Sequence, residues 1–265
     1  MQYAELKISL GNIINNKHPF FRIIFYKILD LLILRSWHIK REISRWENKC
    51  ECKTLILDAG SGFGQYAYFL STKNKFWNVI GIDINKELIS DCNTFFLKIK
   101  KTNGVFKTAD LRTYVKENTF DLILSVDVME HIVEDEIVFA NFYQSLKPGA
   151  MLLLSTPKQK DEKDKLKNSD DAMVRNGYDS KDIEQKLKQA GFSRVNVLYA
   201  YGPLGKLSWY LSIKIPLMIF NLSKWLFLLI PFYYLIVFPV CMVLNYLDVM
   251  RLHRSGDGLI VKAWK

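Results

Sequence analysis

The stretch Leu55-Ile56-Leu57-Asp58-Ala59-Gly60-Ser61-Gly62-Phe63-Gly64 decides the fold of this 265-residue chain. It places an apolar strand directly before a glycine-rich turn, and the residues that follow are typical of a helix. Glycines at positions 60, 62 and 64 let the backbone approach a bound ligand closely. The order of strand, glycine turn and helix predicts the first unit of a ligand-binding α/β sheet, with Gly60, Gly62 and Gly64 in its binding loop.

Short apolar strands and helices alternate after this loop, which is typical of a parallel sheet with helices on both faces. Strands are predicted at 54–58, 79–83, 104–108, 121–126, 150–156, 193–200 and 258–264. Helices are predicted at 64–72, 86–101, 134–146 and 180–189, and a polar loop at 158–176. We therefore expect a Rossmann-like α/β domain with a seven-stranded, mostly parallel sheet, together with N-terminal helices and an apolar helical insertion.

Two carboxylates narrow down the ligand of the glycine loop. Asp83 ends the second strand, where the acidic residue of a nucleotide-binding fold accepts hydrogen bonds from ribose hydroxyls. Asp58 precedes the first glycine, and its negative charge favours a cationic ligand over a pyrophosphate. Gln65 stands where a dinucleotide fingerprint has its third glycine. A nucleoside that carries a cation is therefore predicted, and a dinucleotide is the minority alternative.

These residues resemble the first motif of class I S-adenosylmethionine-dependent methyltransferases, and the resemblance extends over residues 41–200. Thr108-Ala109-Asp110-Leu111 is similar to the family's third motif, which implies that Asp110 accepts from the adenine amino group and that the Leu111 backbone meets the ring edge. The stretch 120–132 is similar to the fourth-strand motif of the ubiquinone-biosynthesis, or methyltransferase type 11, group. The resemblance implies S-adenosyl-L-methionine as cofactor, S-adenosyl-L-homocysteine as product, and further cofactor contacts at Ile84 and Ser125.

Methyl transfer from a sulfonium requires an aligned nucleophile and the exclusion of water. His131, near the end of the fourth strand, is predicted to be a base for a hydroxyl acceptor, with Asp127 as its catalytic neighbour; a backbone hydrogen bond is the alternative role of His131. Asp127, Glu130 and His131 also resemble a divalent-cation arrangement of some ubiquinone-type O-methyltransferases, although we favour a loop without a metal. Tyr178 resembles an aromatic residue beside the acceptor, and core packing is the alternative for it.

Composition and charge limit the classes of partner. With 49% hydrophobic and 24% charged residues, the chain is neither disordered nor of low complexity. Its net charge of +10 favours an anionic neighbour, which is either nucleic acid or a phospholipid surface. No signature of a nucleic-acid methyltransferase is present, so nucleic acid is not expected. Four irregularly spaced cysteines and the lack of a secretory signal in residues 1–16 predict a cytoplasmic location.

The segment 207–250 is strongly apolar, and its residues 225–247 carry no formal charge. A straight helix of this length would be ~35 Å long, against a hydrocarbon core of ~30 Å. Because the last strand is expected to return to the sheet, both ends of the segment must lie on one side of the membrane. Pro216, Pro231 and Pro239 are predicted to divide it, which favours a bent helical hairpin that dips into one leaflet. A lid or a dimer interface is the alternative.

Four regions follow from these patterns: N-terminal helices at 1–50, a methyltransferase core at 51–202, the apolar insertion at 203–255 and a final core strand at 256–265. Residues 19–37 are predicted to form an amphipathic helix, which lies either on the membrane or on the core. The predicted function is methyl transfer, preferably O-methylation, to a hydrophobic or lipid-like acceptor by a peripheral or monotopic protein on the cytoplasmic face of the membrane. A non-catalytic membrane anchor and a soluble small-molecule methyltransferase are the alternatives.

Overall fold

A computed structural model of the chain describes residues 18–47, 53–159, 175–222 and 230–265, without the side chains of 220–222. Most of the polar loop predicted at 158–176 lies outside the described residues, and so do the first seventeen residues of the N-terminal region. The described chain forms two compact units. The first contains residues up to 26, 48–197 and 261–265, and the second contains 27–47 and 198–260.

Seven strands form one sheet in the order β3-β2-β1-β4-β5-β7-β6, so the predicted fold class is confirmed. The strands are β1 (Thr54–Ala59), β2 (Trp77–Asp83), β3 (Gly104–Thr108), β4 (Phe120–Val126), β5 (Leu146–Pro157), β6 (Arg194–Ala200) and β7 (Gly258–Trp264). The pairings of β1 with β2 and β4, of β2 with β3 and of β4 with β5 are all parallel. Strand order reverses between β1 and β4, and ligands of open α/β sheets bind at such a point.

Nine α-helices lie in the described residues. They are α1 (Pro19–Leu32), α2 (Leu34–Trp46), α3 (Gln65–Lys73), α4 (Lys86–Lys98), α5 (Asp135–Ser145), α6 (Ser180–Gln189), α7 (Pro203–Trp209), α8 (Ile215–Leu222) and α9 (Ile230–Met250). A 3₁₀ turn spans Met129–His131, and a π-helical turn spans Tyr210–Lys214. Asn85 and Asp179 cap α4 and α6 by accepting backbone N–H groups of the first helical turn.

Most predicted elements agree with the structure within three residues at each end. Strand β5 differs, because it begins at Leu146, which pairs with Phe120, instead of at residue 150. The predicted helix 19–37 also ends early: Ile33 is extended and separates α1 from α2. The indole N–H of Trp37 donates to the carbonyl oxygen of Leu31 at this break, across 3.1 Å, and so replaces a lost helical donor.

In the second unit, the prediction that three prolines divide the apolar segment is wrong at Pro239, because α9 continues through it from Ile230 to Met250. A proline inside a long helix removes one hydrogen bond, whereas ending the helix there would lose the remaining turns. By length and composition α9 is the one helix in the described ranges that qualifies as a candidate membrane span, and 11% of its most apolar 18-residue window is buried.

Pro216 has a clear local effect in the same unit. It lacks an N–H group, so one backbone donor to the carbonyls one helical turn earlier is missing. The hydroxyl of Tyr233 donates to the Leu211 carbonyl across 2.7 Å, and the hydroxyl of Tyr234 donates to the Ser212 carbonyl. These side chains of α9 satisfy the carbonyls of the π-helical turn. The π-helical turn and α9 therefore pack against each other as the two halves of a hairpin.

Candidate active site

The glycine loop forms a sharp corner at the end of β1. Gly60, Gly62 and Gly64 have φ angles of 78°, 51° and 79°, in the left-handed region that favours glycine. A Cβ atom at Gly60 would meet the side chain of Val128 at 2.3 Å, whereas one at Gly62 would meet no atom within 4 Å. Gly62 therefore borders open space, and a ligand could approach its backbone.

Asp83 holds this corner from the end of β2. Its Oδ2 atom accepts a hydrogen bond from the Gly62 N–H across 2.9 Å, and its Oδ1 atom accepts one from the Asn85 N–H across 2.9 Å. Each carboxylate oxygen keeps a second lone pair, so the side chain can still accept hydroxyl groups of a ligand. Asp83 thus fixes the loop and borders the space beside it.

A cavity of about 500 Å³ lies at this corner. Its volume is in the range of small-molecule sites. It is lined by the glycine loop, the end of β2, the residues after β3 and the turn after β4. The predicted site residues in its lining are Gly60, Gly62, Asp83, Ile84, Asp110, Leu111, Asp127 and His131. The sequence therefore brought together residues from four separate strand ends.

The predicted residues Asp58, Gly64 and Ser125 are not in the cavity lining. Gly64 shapes the corner from behind, since a Cβ there would meet the Cys92 sulfur at 3.0 Å. Ser125 is buried within β4, and its Oγ has no hydrogen-bond partner among the described residues. The prediction that Ser125 contacts the cofactor therefore has no geometric support, because its side chain is buried away from the cavity.

Asp58 is a buried carboxyl group beneath the loop. It is 2% exposed, and its Oδ2 atom has no hydrogen-bond partner in the described part of the chain. Burial raises its pKa to about 7, the backbone hydrogen bond from Ala67 lowers it, and the charge of Asp83 raises it further. A buried acid in this state gains from a nearby cation or hydrogen-bond donor.

Asp110 lies on the cavity wall that follows β3 and is paired with Arg112. Arg112 was not among the predicted site residues. The guanidinium donates to both Asp110 carboxylate oxygens, with Nη2 at 2.7 Å from Oδ2, and the Arg112 backbone N–H donates to Oδ1 across 2.9 Å. These hydrogen bonds lower the pKa of Asp110 and keep it ionised. Arg112 also lies 3.5 Å from a Glu134 carboxylate oxygen, so it joins two walls of the cavity.

The turn after β4 carries the predicted catalytic residues. Asp127 has a φ of 51°, uncommon for a residue with a side chain, and its N–H donates to the Ser155 carbonyl across 2.9 Å. His131 ends the 3₁₀ turn with an exposed side chain at the cavity. Glu130 is instead 1% exposed and accepts from the Thr156 hydroxyl across 3.3 Å. Within the described ranges, no three His, Cys, Asp or Glu residues are grouped to hold a metal ion, so the weak Asp127, Glu130 and His131 cation arrangement is not formed.

Tyr178 does not lie beside the cavity, because it is packed in the core with 1% exposure. Its hydroxyl lies 2.7 Å from the Asp135 Oδ2 and 3.1 Å from the Met129 carbonyl, and both can accept from it. Arg175 donates to the Tyr178 hydroxyl across 3.0 Å. The acceptor-side role suggested by the resemblance is therefore unsupported, and the alternative of core packing describes this tyrosine.

Arg175 connects this buried group to the cavity wall. Its Nη2 atom donates to the carbonyls of Ile132 and Val133, each across 2.9 Å, and both residues line the cavity. Its Nη1 atom pairs with Asp135, the first residue of α5. No local pattern links Arg175 to residues more than 40 positions earlier, so this contact was not predictable from motifs.

Comparison with known proteins identifies the family. A family model described as a methyltransferase domain matches residues 34–197, more than half of the chain. The chain belongs to this family. The predicted resemblance to class I S-adenosylmethionine-dependent methyltransferases is thereby confirmed, and S-adenosylmethionine is the cofactor of that class.

Relatives differ in their acceptors. Phosphoethanolamine N-methyltransferase 1 of Arabidopsis thaliana is 31% identical over 149 residues, which are 53% of this chain and 29% of that protein. Ubiquinone biosynthesis O-methyltransferase of Rickettsia akari is 25% identical over 126 residues, 46% of this chain and 48% of that protein. The chain thus spans less than half of the length of these relatives.

Solved structures share the fold. Haemonchus contortus phosphoethanolamine N-methyltransferase 2, in complex with S-adenosyl-L-methionine, matches with a TM-score of 0.61 at 19% identity, over 87% of this chain and 53% of that chain. The [4+2]-cyclase SpnF matches with a TM-score of 0.58 at 14% identity, over 87% and 81%. Because a cyclase has the same fold, the reaction must be inferred from the site.

Proposed function

We propose that this protein binds S-adenosyl-L-methionine at the glycine corner and transfers the methyl group to a hydrophobic or lipid-like acceptor at a membrane surface. The observation that carries this proposal is that Asp83, Asp110 and the left-handed Gly60–Gly62 corner line one cavity of about 500 Å³. Acidic and glycine elements from three different strand ends therefore converge around open space. A nucleoside cofactor would fill that space and contact all of them.

The chemistry of the donor set fits this cofactor. Asp83 retains acceptor lone pairs for ribose hydroxyls. Asp110 can accept from the adenine amino group in exchange for one of its hydrogen bonds to the exposed Arg112 side chain. Asp58 offers a buried carboxyl group with an unsatisfied oxygen, which suits the positive charge of the cofactor. Gly62 leaves space where any side chain would intrude. The guanidinium of Arg112, which also lines the cavity, is paired with Asp110 and so is not free to bind a pyrophosphate.

The cofactor supplies an activated methyl group on a sulfonium, so the chain has to align the acceptor and exclude water. Apolar side chains of the lining exclude water from the cavity: Leu111, Val126, Val128, Ile132 and Val133. His131 borders the same cavity and is suited to accept a proton from an acceptor hydroxyl. Asp127, held by its backbone hydrogen bond to Ser155, places a negative charge on the acceptor side.

An acceptor hydroxyl is our first candidate, and an amine head group is the second. The specific support for the amine is the 31% identity to phosphoethanolamine N-methyltransferase 1 of Arabidopsis thaliana. To distinguish them, the purified chain is incubated with a membrane lipid extract and labelled S-adenosylmethionine, and the labelled product is identified by mass analysis. Methylation of neither class would overturn the acceptor part of the proposal.

Membrane association is supported by the exposed apolar surface of α9. Six of its apolar side chains are between 39% and 76% exposed: Phe232, Leu235, Ile236, Val240, Val243 and Leu247. Large exposed apolar patches are rare on soluble proteins. Arg251 and Arg254 follow α9 directly and are exposed, which favours anionic lipid on the cytoplasmic leaflet. A lid or dimer interface, or a non-catalytic anchor, would use the same surface.

Flotation with anionic vesicles separates these possibilities. The protein should float with vesicles that contain phosphatidylglycerol and should not be retained by RNA. A matched comparison uses Leu235→Ser, on the exposed surface of α9, and Leu97→Ser, an equally exposed leucine of α4 at 78% exposure. Only Leu235→Ser should reduce flotation. If both variants float like the parent protein, the assignment of the membrane surface to α9 fails. If the protein does not float, or is retained only by RNA, the membrane part of the proposal fails.

Cofactor binding is tested by isothermal titration with S-adenosylmethionine. Asp83→Ala should weaken binding by at least tenfold, because it removes the ribose acceptor and the hydrogen bond that holds Gly62. Asp121→Ala is the matched control: Asp121 also accepts a backbone N–H, that of Leu55, across 2.8 Å, but it is not in the cavity lining. Equal losses in both variants would show a general folding effect and refute the assigned site.

A further inference from the structure

Helix α1 has two chemically different faces next to the glycine loop. Its inner face buries Arg22 and Tyr26, which are 5% and 1% exposed. Its outer face exposes Phe20, Phe21 and Ile24, at 65%, 59% and 37%. The two faces belong to the same two turns of helix, so whatever contacts the outer face also acts on the inner side chains.

The inner face holds the glycine loop at one atom. The carbonyl oxygen of Phe63, between Gly62 and Gly64, accepts from Arg22 Nη2 across 2.7 Å and from the Tyr26 hydroxyl. Arg22 Nε donates to the Tyr26 oxygen across 2.6 Å, so the tyrosine proton is directed at Phe63. Burial raises the pKa of Tyr26, which keeps the hydroxyl protonated as a donor.

Arg22 is itself fixed on the far side. Its Nη1 atom pairs with Asp91 of α4 at 2.5 Å, and Nη2 also lies 3.3 Å from the Cys92 sulfur. The guanidinium is stacked over the Phe95 ring, with its carbon 4.5 Å from the ring centroid. The contact with the loop is therefore made by a rigid, well-supported side chain and not by a mobile surface arginine.

Fixing the Phe63 carbonyl restricts the part of the chain that is otherwise most free. Glycines in the left-handed region lose more conformational freedom on folding than other residues. Gly62 and Gly64 flank the Phe63 carbonyl, and the Gly62 N–H donates a hydrogen bond to the Asp83 carboxylate. A loop that is ordered before the cofactor arrives binds it more tightly, because less ordering remains at binding.

We propose that Arg22 and Tyr26 are positioning residues of the cofactor loop, and that a lipid bilayer which covers Phe20, Phe21 and Ile24 seats α1 and so raises cofactor affinity. This inference rests on the function proposed above. An isolated helix of 14 residues is marginal in water, whereas an amphipathic helix is stabilised at a lipid interface. Exposed Lys27 on the same helix and the net charge of +10 select an anionic bilayer as the occupant.

Linkage makes this testable without measuring methyl transfer. If the bilayer raises cofactor affinity by some factor, the cofactor must raise bilayer affinity by the same factor. The full chain is titrated with S-adenosylmethionine with and without vesicles of phosphatidylcholine and phosphatidylglycerol, and vesicle partitioning is measured with and without cofactor. We expect at least fivefold in both measurements, the lower end of typical coupling.

Three variants distinguish the role of the outer face of α1 from that of its hydrogen bonds to the glycine loop. Phe21→Ser should abolish the effect of vesicles on cofactor affinity and leave the lipid-free affinity unchanged. Tyr26→Phe keeps the buried ring but removes the donor to Phe63, so it should weaken lipid-free cofactor binding about threefold to tenfold and reduce the coupling. Phe232→Ser is the matched control on α9: it removes a phenylalanine that is 69% exposed, and it should lower vesicle partitioning without changing the coupling factor.

The outcomes distinguish this inference from the function on which it rests. If the protein binds both cofactor and vesicles but neither changes the affinity for the other, the inference is wrong and the proposed function stands. If the cofactor does not bind in any condition, the proposed function falls. If Phe21→Ser changes the oligomeric state in size-exclusion chromatography, the outer face is occupied by a second copy of the chain, and the bilayer is excluded as its occupant.

Discussion

Replacing Gly62 by alanine tests whether the open space at the glycine corner belongs to the cofactor. Gly62 has a φ of 51°, and a Cβ there would meet no protein atom within 4 Å. The only cost to the cofactor-free protein is therefore the left-handed backbone, ~1–2 kcal/mol for an L-residue. For a protein of this size we expect the melting temperature to fall by about 2–8 °C.

Cofactor affinity should fall in addition to stability. The new methyl group occupies space against which the ligand would pack, and overpacking costs ~1–3 kcal/mol. We therefore expect S-adenosylmethionine to bind roughly 5- to 150-fold more weakly in isothermal titration. The lower bound applies if the ligand shifts away from the loop, and the upper bound applies if it cannot.

Gly149→Ala is a matched control in the same protein. Gly149 has a φ of 77°, and a Cβ there also meets no atom within 4 Å. It lies within β5 and is not part of the cavity lining. This variant should show the same loss of melting temperature with unchanged cofactor affinity. If the two variants bind the cofactor equally well, the reasoning that places the cofactor against Gly62 is refuted.

Three further predictions concern individual side chains. Burial raises the pKa of Asp58 to about 7, so the folded chain keeps a proton that the unfolded chain loses near pH 4, and the free energy of unfolding falls as pH rises between these values. Asp58→Asn should flatten this fall by about 1 kcal/mol per pH unit in urea titrations at pH 5, 6 and 7; an unchanged slope would contradict the assignment. His131→Gln should slow methyl transfer by roughly 10²–10⁴-fold with cofactor affinity within twofold, and an unchanged initial rate would rule out the base. Tyr178→Phe should lower the free energy of unfolding by about 1–3 kcal/mol, measured in urea, without changing cofactor affinity, since its hydroxyl bonds buried Asp135; a selective loss of cofactor binding would return Tyr178 to the site.

The cofactor side of the cavity was predictable because its residues follow from local rules. Each strand of a parallel sheet ends at the same edge, so an acid or glycine directly after a predicted strand belongs to that edge. Gly62, Asp83 and Asp110 each come from such a position, and all three line the cavity. Ser125 shows the limit of the rule, because it lies within β4, where its side chain is buried and is not part of the cavity lining.

The acceptor side was less predictable because its shape depends on contacts between distant residues. The sequence identifies the turn 127–134 but not Arg175, whose guanidinium holds the carbonyls of Ile132 and Val133. It identifies α1 as amphipathic but not that Arg22 and Tyr26 reach the Phe63 carbonyl. The prediction for Tyr178 failed for the same reason, since a tyrosine that joins Asp135 and Met129 cannot be distinguished by sequence from one beside a substrate.

The difference between the two sides of the cavity indicates which residues can vary acceptor specificity. The edge of the cavity to which we assign the cofactor consists of backbone and short acidic side chains, which leave little to vary. The wall made by residues 127–134 is instead held by one arginine that enters from the chain after residue 174, and α1 holds the loop from the other side. Losing the Arg175 contact alters the wall at 127–134 while Asp83 and Asp110 stay in place, whereas a change in α1 acts on the glycine loop. We therefore expect substitutions of Arg175 to change the product of methylation more than the affinity for the cofactor, and substitutions of Arg22 or Tyr26 to change cofactor affinity.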